Sequence, residues 1–203
     1  MRHVANKIIS LVLKNLNIPI IDLSKSFAGD AKWHQDLIIH LASIVKPKIY
    51  VELGIFKCGL FNQMIPYAKN LIGVDANATA GEFMSNSPKV RFVAATTSEF
   101  AHQLQESPIV IDMIFIDADH SQAAVEEDFW NFFPFVAPHG LILLHDTHPI
   151  DEAATSPARC GDAYKAIERL SRKTEQFEML TLPLHPGLTL CRKRTTQLAW
   201  QER

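Results

Sequence analysis

Two apolar runs, each carrying a carboxylate at its end, constrain this chain more than anything else in it. The first is Ile49-Tyr-Val-Glu-Leu-Gly-Ile-Phe-Lys-Cys-Gly59, which reads as a buried strand entering a glycine turn and then a helix. The second is Asn70-Leu-Ile-Gly-Val-Asp75, a strand closed by an acid. Glu52 and Asp75 stand one strand–helix–strand unit apart. A parallel sheet then brings both carboxylates to one edge, where nucleoside ligands bind. Asp75 is placed to accept hydrogen bonds from two ribose hydroxyls. Gly54 lets the backbone approach a ligand with no Cβ in the way.

The remaining pattern extends this sheet. Continuous apolar runs at 48–53, 71–75, 90–95, 111–117 and 140–145 predict strands covered on both faces, and hence parallel pairing. Helices are expected near 59–65, 98–105, 121–135 and 161–173, with Pro66 stopping the first early. The tail differs: 177–183 and 187–192 read as two strands joined by a tight turn containing His185-Pro186. Towards the N-terminus, 3–16 reads as an amphipathic helix and 17–23 as an irregular apolar link. Asp30 is expected to cap a helix running to Ile44, with Trp33, Leu37, Ile38 and Leu41 inward and Pro47 beyond its end.

Glycine spacing narrows the ligand. A dinucleotide fingerprint needs a middle glycine where this chain has Phe56, and a phosphate-binding loop would end in Gly-Lys-Ser/Thr where it has Gly59-Leu60-Phe61. The pattern therefore favours a nucleoside without a pyrophosphate. Net charge of -2 supplies no basic field to attract nucleic acid. With 203 residues and 47% hydrophobic content, one domain with a substantial core is expected. Cys58, Cys160 and Cys191 are too scattered for a disulfide framework or a zinc knuckle. Cys58 reads as a small buried filler. No run reaches membrane-spanning length, so a cytoplasmic protein is expected.

Glu52-Leu-Gly54, Gly59 and Val74-Asp75 resemble the cofactor motifs of class I S-adenosylmethionine-dependent methyltransferases. The resemblance covers about residues 30–194. It implies a Rossmann-like α/β fold: a mostly parallel seven-stranded sheet with an antiparallel C-terminal hairpin and helices on both faces. Residues 1–29 would form a helical extension and 30–203 the methyltransferase part of a single globular domain.

A second constellation is similar to the small-molecule O-methyltransferases of the macrocin and mycinamicin type, a group that includes cephalosporin-hydroxylase-like proteins. It consists of Asp117-x-x-His120, Val125 and Asp128 on the next helix, Gly140, and His145-Asp146. That resemblance implies methylation of a hydroxyl on a sugar, phenol or polyketide. It assigns Glu52, Gly54, Gly59, Asp75, Thr97, Ser98 and Asp117 to S-adenosylmethionine, and Asp117, His145 and Asp146 to a divalent cation. His120 would be the catalytic base, with Asp117 beside it. The family keeps an acid where this chain has His145, which turns preference away from magnesium towards metals that accept imidazole. The expected partner is a small-molecule acceptor, with no nucleic acid and no membrane; a homodimer is allowed. Asp119 and Ser121 are also candidates for capping the helix that follows, His148 reads as an exposed loop residue, and His34 as helix surface. Two rivals stay open: a non-catalytic cofactor-binding module and a nicotinamide-dependent oxidoreductase.

Overall fold

The computed structural model describes residues 32–173 and 175–194, and the expectations for 3–16, 17–23 and Asp30 lie outside them. The chain divides into two compact units, residues 1–46 and 47–203. The described part of the first is one helix, α1 (Trp33–Val45). Its C-cap, Lys46, takes a left-handed conformation (φ 51°) and returns its N–H to the Ala42 carbonyl, so the helix closes one residue before Pro47. The buried positions are Trp33, His34, Ile38, Ile39 and Ala42, while Leu37 and Leu41 are only half-buried. His34 is thus a buried residue, not the helix-surface one the sequence suggested.

The second unit is built on one sheet. Its elements are β1 (Ile49–Leu53), α2 (Phe61–Met64), β2 (Asn70–Asp75), β3 (Val90–Ala94), α3 (Thr97–Glu106) and β4 (Ile111–Ile116), then α4 (Gln122–Phe132), β5 (Val136–His145), α5 (Ala163–Leu170), β6 (Phe177–Leu182) and β7 (Leu188–Lys193). The strand order is β3-β2-β1-β4-β5-β7-β6. Strands β3, β2, β1, β4 and β5 pair in parallel, and β7 runs antiparallel to both β5 and β6. This is the sheet the resemblance implied. Two boundaries differ. β5 begins at Val136, four residues before the expected start, because the chain pairs with Ile111 and then passes through an irregularity before regular pairing resumes at Leu141. α4 stops at Phe132, where Pro134 converts the last turn into a 3-10 turn over Phe133–Phe135.

One face of the sheet carries the main core. Val51, Leu53, Val74, Ile114, Ile116 and Leu144 pack with Phe100 and Leu104 of α3, Val125, Phe129 and Phe132 of α4, and Ile167 and Leu170 of α5. Each such side chain contributes about 1.5–3 kcal/mol when removed from water. The two-residue period then sends Tyr50, Glu52, Met113, Phe115 and Leu143 to the opposite face, where Tyr50 meets the Phe61 ring of α2. Helix starts are secured locally. Thr96 and Glu99 form a reciprocal capping box at α3, and Ser121 accepts from Ala124 N–H at α4, the capping role sequence had offered for it.

Candidate active site at the carboxyl edge of the sheet

Strand order reverses between β1 and β4, the place where open α/β sheets leave a crevice beyond the strand ends. The first residue after β1 is Gly54, with φ 82°; its N–H donates to the Val74 carbonyl at 2.9 Å. Across the crevice, Asp117 N–H donates to the Leu53 carbonyl at 2.9 Å. A Cβ on Gly54 would lie 2.1 Å from the Asp117 carbonyl oxygen, so only glycine fits. Gly59 differs, since a Cβ there would meet nothing within 4 Å.

The turn between them is strained. Phe56 (φ 46°) and Cys58 (φ 55°) take left-handed conformations that glycine adopts at less cost. The Phe56 N–H is thereby aimed at Asp75 Oδ2, 3.0 Å away, while Asn77 N–H donates to Oδ1 at 2.8 Å. Two backbone donors hold the Asp75 carboxylate, and each oxygen keeps a second lone pair for a ligand. Cys58 is fully buried, as expected of a filler. Gly54, Asp75, Ala95, Thr97, Ala118 and Asp119 line a cleft of about 360 Å³.

Glu52 lies beneath this turn, 3% exposed, with the Tyr50 hydroxyl donating to its Oε2 at 2.6 Å. Burial pushes its carboxyl up to about 8, against the opposing pull of the Tyr50 hydrogen bond, so the group is neutral at pH 7. Thr97 and Ser98 open α3. The Thr97 hydroxyl bonds Asp128, and Ser98 Oγ donates to Glu127 Oε1 at 2.9 Å. Their side chains are thus engaged with α4, and what faces the cleft from this pair is Thr97.

The second constellation assembles from the ends of β4 and β5. His145 Nδ1 lies 2.8 Å from Asp117 Oδ1 and 3.4 Å from Asp146 Oδ2. His120 Nδ1 lies 3.1 Å from Asp146 Oδ2, and its Nε2 is 3.5 Å from Asp117 Oδ1. Two imidazoles and two carboxylates therefore alternate around one centre. Asp146 reaches it from a left-handed backbone (φ 58°). Asp146 and His145 are the inner members, with side chains 7% and 12% exposed, so their charges are poorly screened.

The electrostatics follow from this pairing. Bonding to Asp117, against the cost of burial, raises His120 to about 9. Burial opposes the charge on His145, but Asp117 outweighs it and lifts the group to about 10. Burial likewise works against Asp117, and the two histidines overcome it, holding the carboxyl well below the usual range. Both imidazoles of the bare cluster are thus charged at neutral pH, and His120 can accept a proton only after releasing one. The neighbouring Cys160 thiol is pushed up to about 12 by burial and by Asp146, so it is no thiolate.

The donor set fits a divalent cation. Ligand atoms of Asp117, His120 and Asp146 all lie within 4.8 Å of one another. Two carboxylates with one imidazole suit first-row transition ions better than magnesium. Distances thus bring His120 into the group that sequence had built with His145, while His145 faces Asp117 directly.

A second, larger pocket of about 660 Å³ adjoins the first and shares Ala118 and Asp119 with it. His120, Ser121, Thr155, Tyr164 and Lys165 are among the residues lining it. Asp119 Oδ1 accepts the Ser121 N–H at 2.7 Å, which ties down the loop between the two cavities. His148 is exposed, as expected.

Sequence reasoning missed several residues that shape the site. Tyr50 read as plain core. Arg159, Gly161 and Asp162 surround His120: the Arg159 carbonyl meets His120 Nδ1, Asp162 N–H donates to the His120 carbonyl at 3.1 Å, and Asp162 Oδ1 accepts the Gln122 N–H at 2.7 Å. The one available signal was a glycine followed by an acid just before an amphipathic helix, and it pointed to a turn rather than to His120.

Residues 51–147 match the family described as a methyltransferase domain. The chain is 30% identical over 111 residues to an uncharacterized protein of Acanthamoeba polyphaga mimivirus, a match covering 48% of this chain and 50% of that protein. It thus spans about half the length of the curated relative it matches. Among solved structures, an O-methyltransferase from Bacillus cereus in complex with SAH aligns at TM-score 0.68 and 14% identity, over 93% of this chain and 90% of that one. The O-methyltransferase TomG from Streptomyces achromogenes, in complex with SAM and involved in tomaymycin synthesis, aligns at 0.66 and 14%, over 79% of each chain. The SAH-bound Podospora anserina methyltransferase PaMTH1 aligns at 0.62 and 16%, over 95% and 96%. The match to the methyltransferase domain thus spans β1 to the end of β5, and the sheet around it has the fold of these methyltransferase structures.

Proposed function

We propose that this chain binds S-adenosylmethionine in the cleft between Gly54 and Asp75 and methylates a hydroxyl of a small molecule held in the adjoining pocket. The observation that carries this reading is the shared wall: both cavities are bounded by Ala118 and Asp119, and His120 stands on the acceptor side. The cofactors in the structures of the same fold support the donor. When bound, S-adenosylmethionine supplies a methyl on a positive sulfur; transfer breaks a C–S bond, forms a C–O bond and frees the hydroxyl proton.

The chain's residues divide the remaining work. Asp75 takes the ribose hydroxyls. Gly54 and the backbone at Asp117 admit the cofactor, with Glu52, Gly59, Thr97 and Ser98 shaping its surroundings. His120 accepts the hydroxyl proton, helped by Asp117. Asp117 and Asp146 hold a divalent cation together with one imidazole, and that ion would lower the pKa of the acceptor hydroxyl and orient it. Motif position favours His145 as that imidazole and leaves His120 free as the base; interatomic distance favours His120. Residues 1–29 act as an extension to a methyltransferase part spanning 30–203. The reading includes a cytoplasmic location, a homodimer, and no nucleic-acid or membrane partner. No helix among the described residues is long and apolar enough to cross a membrane.

A second reading has one observation behind it. The His–Asp cluster satisfies itself as two ion pairs, which suits a cofactor-binding module without catalysis. Calorimetry with S-adenosylhomocysteine and methyl release from labelled S-adenosylmethionine over an acceptor panel separate the two. Binding is expected in the micromolar range. Asp75→Ala should weaken it by roughly 1.5–3 kcal/mol through loss of a charged acceptor. His120→Ala should keep cofactor affinity and lower turnover roughly 10²–10⁴-fold. Preferential binding of NAD would sink both readings, and binding without turnover on any acceptor would leave the module.

A further inference from the structure

The segment Arg159–Asp162 grips His120 at three points, and none of these residues belongs to the motifs that identify the domain. Gly161 adopts φ 55°, and a Cβ there would fall 2.3 Å from the His120 carbonyl oxygen and 3.0 Å from its Cβ. That close approach lets Asp162 N–H reach the His120 carbonyl at 3.1 Å, while Asp162 Oδ1 takes the N–H of Gln122, two residues on. The backbone on both sides of the histidine is thus fixed from one turn. The same turn presents the Arg159 carbonyl to the ring at Nδ1.

The chemistry of these partners decides which nitrogen does what. A carbonyl oxygen only accepts. Nδ1 faces the Arg159 carbonyl, with Asp146 Oδ2 3.1 Å away. It must therefore carry a hydrogen. Nε2 has the looser environment: its neighbour, Asp117 Oδ1, is 3.5 Å away and already engaged by His145 Nδ1 at 2.8 Å.

We propose that the Arg159–Asp162 turn is a positioning clamp, holding the His120 Nδ1–H on the Arg159 carbonyl so that Nε2 is the atom that takes the acceptor's proton. Arg159, Gly161 and Asp162 act through His120 and are positioning residues. The proposal rests on His120 as the base of the proposed transferase, and it predicts a ring-hydrogen signature that can be read without any acceptor.

The test is proton NMR of the full chain carrying ¹⁵N-labelled histidine. A slowly exchanging downfield proton on His120 Nδ1 is expected in the wild type, assigned by its loss in His120→Gln. Asp162→Ala should broaden or abolish it, because the Gln122 N–H loses its acceptor. Asp162→Asn keeps an oxygen for that N–H and should restore the signal. Gly161→Ala should lose it too, and if that variant does not fold, the Asp162 pair decides. Affinity for S-adenosylhomocysteine should stay within about twofold throughout, separating the clamp from general loss of structure. Absence of the Nδ1 proton in the wild type overturns the proposal, as does its persistence unchanged in Asp162→Ala. Failure of the wild type to bind S-adenosylhomocysteine would instead remove the transferase reading and leave the NMR result to judge the clamp alone.

Discussion

Replacing Glu52 by glutamine should make the protein more stable at neutral pH and leave it nearly unchanged in mild acid. The carboxyl is 3% exposed, and burial raises it from 4.5 to about 8. Between those two values the unfolded chain has released the proton and the folded chain has kept it. Wild-type stability from this group therefore falls as pH rises from about 4.5 and levels off above about 8. At 1.36 kcal/mol per unit, the cost is roughly 3 kcal/mol at pH 7 and at most roughly 5 kcal/mol above pH 8. Glutamine cannot ionise, and its oxygen still accepts from Tyr50, so Glu52→Gln should escape that cost. Urea unfolding of both proteins between pH 4 and 8.5 measures it, and the difference between the two curves cancels the histidines common to both. The difference should grow towards roughly 3 kcal/mol by pH 7. Parallel curves would refute the reasoning and mean that the folded protein holds Glu52 ionised. The outcome also bears on the cofactor, because a neutral Glu52 offers a hydrogen bond but no countercharge.

Gly54→Ala should cost roughly 2–4 kcal/mol, since its Cβ would collide with the Asp117 carbonyl from a positive φ, whereas Gly59→Ala should change stability by less than about 1 kcal/mol. Equal effects in urea unfolding would remove the distinction drawn between the two glycines. Manganese, nickel or zinc should raise the melting temperature more than magnesium does, and His145→Glu should shift preference back towards magnesium. Uptake should release protons and tighten as pH rises, because the bare cluster holds both imidazoles charged. No thermal shift with any ion in either protein would end the cation assignment.

Much of the sheet was legible in the chain because its physics is local. A strand buried on both faces must be apolar throughout, so the runs around Val51, Ile72, Ile114 and Leu143 announce themselves, and the acid closing each strand marks the ligand edge. The alternation of strands with helical segments, ending in a turn-linked pair, set the parallel sheet and its antiparallel border. Asp75, Gly54, and the meeting of Asp117 and His120 with Asp146 could be placed at one edge on that basis alone.

The tertiary structure decided what depends on residues far apart in sequence. Tyr50 stands two residues from Glu52 on the same strand, but the burial that neutralises Glu52 comes from neighbours that only folding brings over it. Phe56 and Cys58 occupy conformations suited to glycine because Asp75 and the packing beneath the turn hold them there, a constraint outside any local propensity. The two imidazoles become charged because β4 and β5 bring them against Asp117 and Asp146; alone, each would be largely neutral at pH 7. Gly161 reads in sequence as a turn residue, and its contact with His120 exists because the chain returns to that strand end some forty positions later. Hydrophobic period and turn chemistry are written residue by residue, whereas ionisation, strain and close approach arise from pairs that only folding brings together.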